Sequence, residues 1–543
     1  MPNGDNGNGR QSGEMVKRHL LTGGTIYRHA WDEHPAEAML ISDGRVAWLG
    51  AVQDAPASDR VVDIEGGTVL PGLTDAHVHL LAVGQARKQI SAAGPDSQSL
   101  GAYLQRLQEV HESLPADEWL FGGDLNEQLW PEKRMPDRAA IDAVVPDRPV
   151  LLRRFCGHVA MMNSHALEAL GLRPETADPS GGQFDRRNGV LTGVARERAA
   201  ELVFRAAPRP ADGEIAKSTR QVMDDLSRAG VTAAVDAAVG FTFGFEPEWA
   251  IWQLLRQQGD LPLRLGFMAQ IDPGTAEELS LEPGRDPWWQ WRTLKIFVDG
   301  IIGARTAALH GRYHDVVGSG HLMHDLADIQ DFVHEAHRRG WQVAAHAIGD
   351  RAIDVIIGAI ASAQAACQRE ETRHRVEHFG FPDPSAFQRA AELGIIIVTQ
   401  PSFIPRMADA WPIALGDQHH RCSPARSLID AGLCVAGSSD SPTGALSPWE
   451  GIQAFVTRRT ASGKQMAAQE TLSVRQAVDA YTNGGAVAMQ HNGWRGTLIT
   501  GMAADFAVLD KDPFSCSSEE LGRITSRLTV VGGRTSHDPE GIW

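Results

Sequence analysis

At 543 residues the chain is too long for one compact core, so two or three folding units are expected. Hydrophobic residues make up 43% and charged residues 22%, ordinary values for a soluble globular protein, and the net charge of -17 argues against nucleic acid as a partner. No apolar run reaches the roughly 18 residues needed to span a bilayer, which argues against a membrane partner.

Residues 1–17 open with MPNGDNGNGRQSGEM, polar and rich in Gly and Asn. The segment lacks the apolar stretch of a signal peptide and is expected to be a disordered leader. The cysteines (Cys156, Cys367, Cys422, Cys434, Cys516) are scattered, with no CxxC, which suits a reducing cytoplasm. Residues 18–70 then read as short strands broken by Gly and Asp-Gly turns: HLLTGGTIYRH, AEAMLISDGRVAWLG, RVVDIEGGTVLPG. The same pattern returns at 495–543, in GTLITGMAADFAVLD and RLTVVGGRTS. The two ends are expected to pair into one composite β-domain.

From 71 to 494 strands alternate with helices, the mark of a parallel α/β architecture. Eight candidate strands follow in order: TDAHVHL, VTAAVDA, LRLGFMA, TLKIFVDG, WQVAAHA, HRVEHF, GIIIVTQ and LCVAGSSD. Helical stripes lie between them. Ile353, Ile356, Ile357 and Ile360 share one face behind an Asp350 N-cap, and Ile329, Phe332, Val333 and Ala336 share another, ended by Gly340. Such units close into a (β/α)8 barrel. The long span between Leu80 and Val231 exceeds any structureless loop. It has a helix with Leu100, Leu104 and Leu107 on one face and a strand, PVLLRRF. A subdomain inserted at about 85–225, over the barrel mouth, is expected.

Polar residues recur at the ends of these strands: His77 and His79, then Lys295, His346, His378 and Asp440. Imidazole and carboxylate donors of this kind suit zinc or a similar divalent metal. Strand alternation places Asp75, His77 and His79 on one face, and Lys295, Phe297 and Asp299 on one face. It also groups His374, Val376 and His378, and aligns Asp440 with Ser438. Taken alone, His-x-His is as easily packing as metal binding, and Asp440 is as easily a helix cap; the ordered series favours a metal. Lys295 facing a barrel interior is costly as an unpaired cation. It is read either as a carbamate able to bridge two metals or as a salt bridge to Asp299 or another carboxylate. His334 and His337 are expected on a solvated helix face, and His419 and His420 at the surface. His158, in the insertion, is read equally as a buried structural residue or a substrate contact.

The segments PGLTDAHVHL, KIFVDGIIGARTAAL, HAIGDRAID, RHRVEHF and GSSDSPT, with WLFGGDLNEQLWPEKRMPDRAAIDAVVPDRPVLLRRFCGHVAMMNSHAL in the insertion, resemble the amidohydrolase superfamily in its amidohydrolase 3 (YtcJ-like) branch. The resemblance runs from about residue 20 to about 515. It implies a composite β-sandwich, a (β/α)8 barrel and one or two divalent metals, usually zinc. His77, His79 and Asp440 would hold one metal, His346 and His378 a second, and Lys295 would bridge as a carbamate. Asp440 would also be the catalytic proton carrier. His158, Glu197 and Arg305 are the candidate substrate contacts. GSSDSP stands where GSDAP would be expected, a departure that keeps the Asp. Related deaminases carry a glutamate three positions after the fifth-strand histidine, where this chain has Gly349. Hydrolysis of a non-peptide amide or formamide in a small molecule is therefore the favoured reading, with N-substituted formamide deformylases as the activity suggested. The alternatives are a non-catalytic metal-binding or regulatory protein, and a lyase or isomerase on the same metals. The expected setting is cytoplasmic, with a small-molecule substrate and a homodimer as the candidate assembly.

Overall fold

The structure is a computed structural model. It describes residues 18–543 except 88, 93–94, 115–117, 128–129, 156, 158, 180–181, 285 and 370–372. The leader therefore lies outside the described residues.

Eight parallel strands form one sheet in sequential order: β1 (Leu73–Val78), β2 (Val231–Val239), β3 (Arg264–Ala269), β4 (Trp289–Phe297), β5 (Gln342–Ala347), β6 (Arg375–His378), β7 (Ile396–Thr399) and β8 (Cys434–Gly437). These are the eight runs expected from the sequence. The ring closes just past the strand ends, where Asp440 N donates to His77 O (2.7 Å) and His79 N donates to Ser441 O (3.0 Å). Outward residues such as Leu294, Ile296, Val343, Val376 and Val435 join one large core with the surrounding helices. Inside, small residues dominate: Ala233, Ala237 and Ala344 pack with Met268 and Met489, while Ala76 and Ala436 pack with Ile396 and Val398. This is a filled barrel, not a pore.

The Asp350–Ala366 helix buries Ile353, Ile356, Ile357 and Ile360 as its periodicity requires, but its N-cap is Gly349 and Asp350 is its first residue. In the Leu326–Arg338 helix, His337 is buried with Ile329, Val333 and Ala336, which corrects the expectation of a solvated face. Its Nδ1 lies 2.9 Å from His374 Nε2, and its Nε2 lies 2.7 Å from Cys367 O.

Both chain ends build a sandwich beside the barrel. One sheet holds Arg45–Gly50, Ala38–Ser42, Arg18–Thr22 and Arg60–Asp63; the other holds Thr25–Ile26, Thr68–Pro71, Phe506–Leu509, Ser526–Val531 and Arg534–His537. Thr68–Pro71 pairs antiparallel with Phe506–Leu509, so the N- and C-terminal segments share a ladder. Leu21, Met39, Ile41 and Val62 of the first sheet meet Val69, Phe506, Val508 and Val530 of the second in one core. The Asp43-Gly44 hairpin turn has φ of 51° and 67°, the positive values that suit Asp-Gly in a two-residue turn.

The insertion carries a six-stranded sheet, in the order Gly182–Arg187, Val190–Glu197, Val159–Met162, Val150–Arg154, Leu120–Leu125, Ile90–Ser91. It has its own cores, one around Leu107, Leu152 and Met161, the other around Leu151, Phe184 and Val203. Among the described residues, no helix is long and apolar enough to cross a membrane.

Candidate metal centre

Barrel closure sets His77 and His79, at the end of β1, against Asp440, just beyond β8. The Nε2 atoms of His77 and His79 lie 3.3 and 3.1 Å from Asp440 Oδ1. Ligand atoms of the three residues all fall within 4.8 Å of one another. The His77 tautomer is set from behind: its Nδ1 lies 2.6 Å from Glu377 Oε2. A carboxylate only accepts, so Nδ1 carries the proton and the Nε2 lone pair faces Asp440. Acceptors therefore converge on one point, an arrangement that a divalent cation satisfies. The donor set fits a divalent metal ion.

His346 and His378 stand beside this group, their ring centroids 4.4 Å apart, with His378 5.2 Å from His77. His378 donates Nδ1–H to Gln400 Oε1 (2.7 Å), which leaves Nε2 as its lone-pair nitrogen. Gln400 is oriented by its own donation to Ser438 Oγ (3.0 Å). His346 donates Nε2–H to Gly300 O (3.2 Å), leaving Nδ1 open. Burial holds both imidazoles down, His378 to about 3 and His346 well below its ordinary value, with His378 and Lys295 adding to the effect on His346. Neutral imidazoles are the metal-binding form.

Lys295 is 2% exposed, and its Nζ has no hydrogen-bond partner. Burial lowers its pKa to about 8, against the pull of Glu377 and Asp440. Asp299 does not pair with it. The Asp299 carboxylate instead gathers the backbone N–H groups of Ile348 (2.9 Å), Gly349 (2.8 Å) and Ala308 (2.8 Å). Burial raises Asp299 to about 7 despite these bonds. A buried amine without a hydrogen-bond partner, within electrostatic reach of Asp440, His346 and His378, fits a carbamate donor to a metal. Gly349 cannot carry a side chain where it stands: a Cβ there would sit 2.0 Å from Ala308 O. The glutamate of the deaminase pattern has no room.

Burial opposes ionisation of Asp440; imidazoles protonated on Nε2 at His77 and His79 would hold it well below the usual carboxylate range, a part that a bound cation would take over. Glu377 is likewise held low. Burial opposes it too, but Arg375 and the His77 hydrogen bond prevail. Arg375 grips Glu377 with Nε–Oε1 at 2.6 Å and Nη2–Oε2 at 3.0 Å, and also donates to Ala76 O (2.7 Å) across the barrel.

Simple alternation fails at two strands. On β6, Val376 faces the outer core and Glu377 faces the barrel interior, the reverse of the expected grouping of Val376 with His378. His378 reaches the site because its φ is 72°, off the pleat. On β1, pairing with β2 shifts between Ala234 and Asp236, so Ala76 joins an interior cluster while Val78 joins the outer core. Glu377 and Gln400 were thus missed. The acidic residue in RVEHF was the available signal.

Of the candidate substrate contacts, His158 lies outside the described residues. Glu197 is exposed at the end of an insertion strand, in a different sheet from the barrel, with φ 51°. Arg305 ties its own loop: Nε lies 3.0 Å from Asp315 Oδ1, and Nη1 donates to Gly303 O (2.8 Å).

The chain is similar to known proteins over most of its length. The amidohydrolase family profile matches residues 60–537. The chain is 28% identical over 529 residues to a putative amidohydrolase, YtcJ, of Bacillus subtilis, covering 95% of this chain and 98% of that protein. It is 28% identical over 528 residues to an N-substituted formamide deformylase of Arthrobacter pascens, covering 93% and 96%. The crystal structure of an uncharacterized metal-dependent hydrolase from Pyrococcus furiosus superposes with a TM-score of 0.74 at 26% identity, covering 92% of this chain and 100% of that one.

Proposed function

Because the chain belongs to the amidohydrolase family, we propose that it hydrolyses a non-peptide C–N bond, an amide or formamide, in a small molecule. The observation that carries the reading is the convergence of His77, His79 and Asp440. The formamide option is supported by similarity to the Arthrobacter deformylase over most of both chains. The four described cysteines are free thiols, which supports a reducing, cytoplasmic setting.

A divalent metal at this site, zinc by its donors, would bring the pKa of its water towards 7 and polarise the substrate carbonyl. His77, His79 and Asp440 would hold it, with His346 and His378 placed for a second ion and Lys295, as a carbamate, between them. Glu377 keeps the His77 lone pair aimed inward. Asp440 accepts the proton of the attacking water and delivers it to the leaving nitrogen, which departs as an amine because an amide anion is a very poor leaving group. Such general acid–base work contributes roughly 10²–10⁴-fold.

The test is a screen of small amides and formamides with metal-replete protein, followed in ¹⁸O-labelled water. Hydrolysis places solvent oxygen in the acid product; an unlabelled product excludes it. Asp440→Asn should retain metal through the histidines yet lose roughly 10²–10⁴-fold in kcat. Near-normal kcat in the metal-replete variant removes Asp440 from proton transfer.

A further inference from the structure

Phe241 is 54% exposed. It stands on the loop after β2, and that loop is fixed from beneath. The carboxylate of Glu248, itself buried, accepts the backbone N–H groups of Gly240, Thr242 and Phe243, each at 2.6 Å. Gly240 and Gly244 bracket the turn with φ of 112° and 92°, values glycine reaches freely. The neighbouring Phe243 packs on the barrel core. The loop's hydrogen bonds thus fix an aromatic ring with about half its surface open to solvent.

The ring also has a direction. Its centroid lies 5.7 Å from that of His79, and 5.5 Å from that of Phe297 in a stacked pair. Phe297 lies 5.3 Å from His346. The two phenylalanines make a continuous aromatic wall from one histidine group to the other. Across the site, Phe403 stacks on His378 at 6.0 Å. The wall thus borders His79 at one end and His346 at the other.

We propose that Phe241 and Phe297 form a specificity platform that stacks a flat aromatic substituent of the substrate beside the reacting carbonyl. This rests on the hydrolase reading above. A π-face with one side open discriminates flat rings from bulky aliphatic ones, because offset stacking adds to simple burial. Small amides with no ring would leave Phe241 in water.

The test separates the platform from the reaction by using three hydroxamates with one metal-binding head: acetohydroxamate, cyclohexanecarbohydroxamate and benzohydroxamate. Affinities are measured by calorimetry on zinc-loaded protein. Benzohydroxamate should bind about tenfold more tightly than acetohydroxamate and several-fold more tightly than the cyclohexane compound. Phe241→Ala should weaken benzohydroxamate about tenfold more than acetohydroxamate, and Phe241→Leu should abolish the preference for the flat ring over cyclohexane. Both variants alter a solvent-exposed ring and leave the core intact, and circular dichroism checks the fold. Equal affinities, or a preference that survives both substitutions, overturn the platform while leaving hydrolysis standing. An aryl preference in a protein that cleaves no amide or formamide keeps the platform and overturns the reaction. Failure of all three to bind overturns the proposal together with the metal site.

Discussion

Glu377 shows how one buried carboxylate can govern a site it does not belong to. It touches no candidate metal position, yet its hydrogen bond decides which nitrogen of His77 is open. Outer partners of metal-binding histidines typically account for 10–100-fold in metal affinity. Glu377→Ala should therefore lower zinc affinity by about 10–100-fold, read by chelator competition. Glu377→Gln, whose amide oxygen still accepts from Nδ1–H, should recover part of the loss. Affinity equal to wild type in both variants would show that the tautomer is set elsewhere. Of the six residues proposed as ligands, His77, Lys295, His346 and His378 lie within the last three residues of their strands, His79 follows the first and Asp440 follows the eighth. Glu377 was not legible, because alternation assumes a regular pleat. Positive φ at His378 (72°) and Asp440 (50°) takes both residues out of it.

Among the elements, all eight barrel strands and the main helical stripes were readable as apolar periodicity. His337, expected on the solvated face, belongs to the buried one by its spacing. Ile329, Val333, Ala336 and His337 fall at i, i+4, i+7 and i+8, one helix face. Treating histidine as polar hid the buried partner that makes this possible. His374 donates Nε2–H to His337 Nδ1 and accepts Val343 N–H on Nδ1 (3.0 Å), and His337 donates its single Nε2–H to Cys367 O. Both rings are satisfied only when neutral. Burial, helped by His337 and Arg369, pushes His374 down to about 3 from 6.5. Between those values the unfolded chain takes up a proton that the folded chain refuses. Stability therefore falls as pH drops from about 6.5 towards 3, and levels off below. In metal-free protein, His374→Gln should flatten this acid limb between pH 7 and 5, measured as urea midpoints. Parallel slopes for variant and wild type would contradict the assignment.

Across the whole molecule, the barrel and the sandwich are joined by a buried charge cluster. Asp505, just before the Phe506–Leu509 strand, binds Arg264 of β3 with Nε–Oδ2 at 2.8 Å and Nη2–Oδ1 at 2.9 Å. It also meets Arg495 Nε (3.3 Å) and Gly532 N (2.7 Å), while Arg495 Nη2 reaches Thr74 of β1 (2.8 Å). Asp505→Ala leaves two arginines buried without their anion and should cost about 3–5 kcal/mol. Thermal unfolding checks this, and a loss below about 1 kcal/mol would show that the cluster is not a structural tie. The matching strand-and-turn patterns at the two chain ends were visible in the sequence. Of the insertion sheet only PVLLRRF was legible: Ile90–Ser91 contributes just two residues, and the polar Gly182–Arg187 strand, joined to Val190–Glu197 through an Asn188-Gly189 turn, has no apolar alternation. The central claim is that barrel closure between β1 and β8 builds a metal site, and anomalous diffraction at the zinc edge from zinc-loaded crystals tests it most directly. The account predicts a peak about 2.0–2.2 Å from His77 Nε2, His79 Nε2 and an Asp440 oxygen. A zinc-replete crystal whose peak lies elsewhere, with these three side chains unligated, would contradict it.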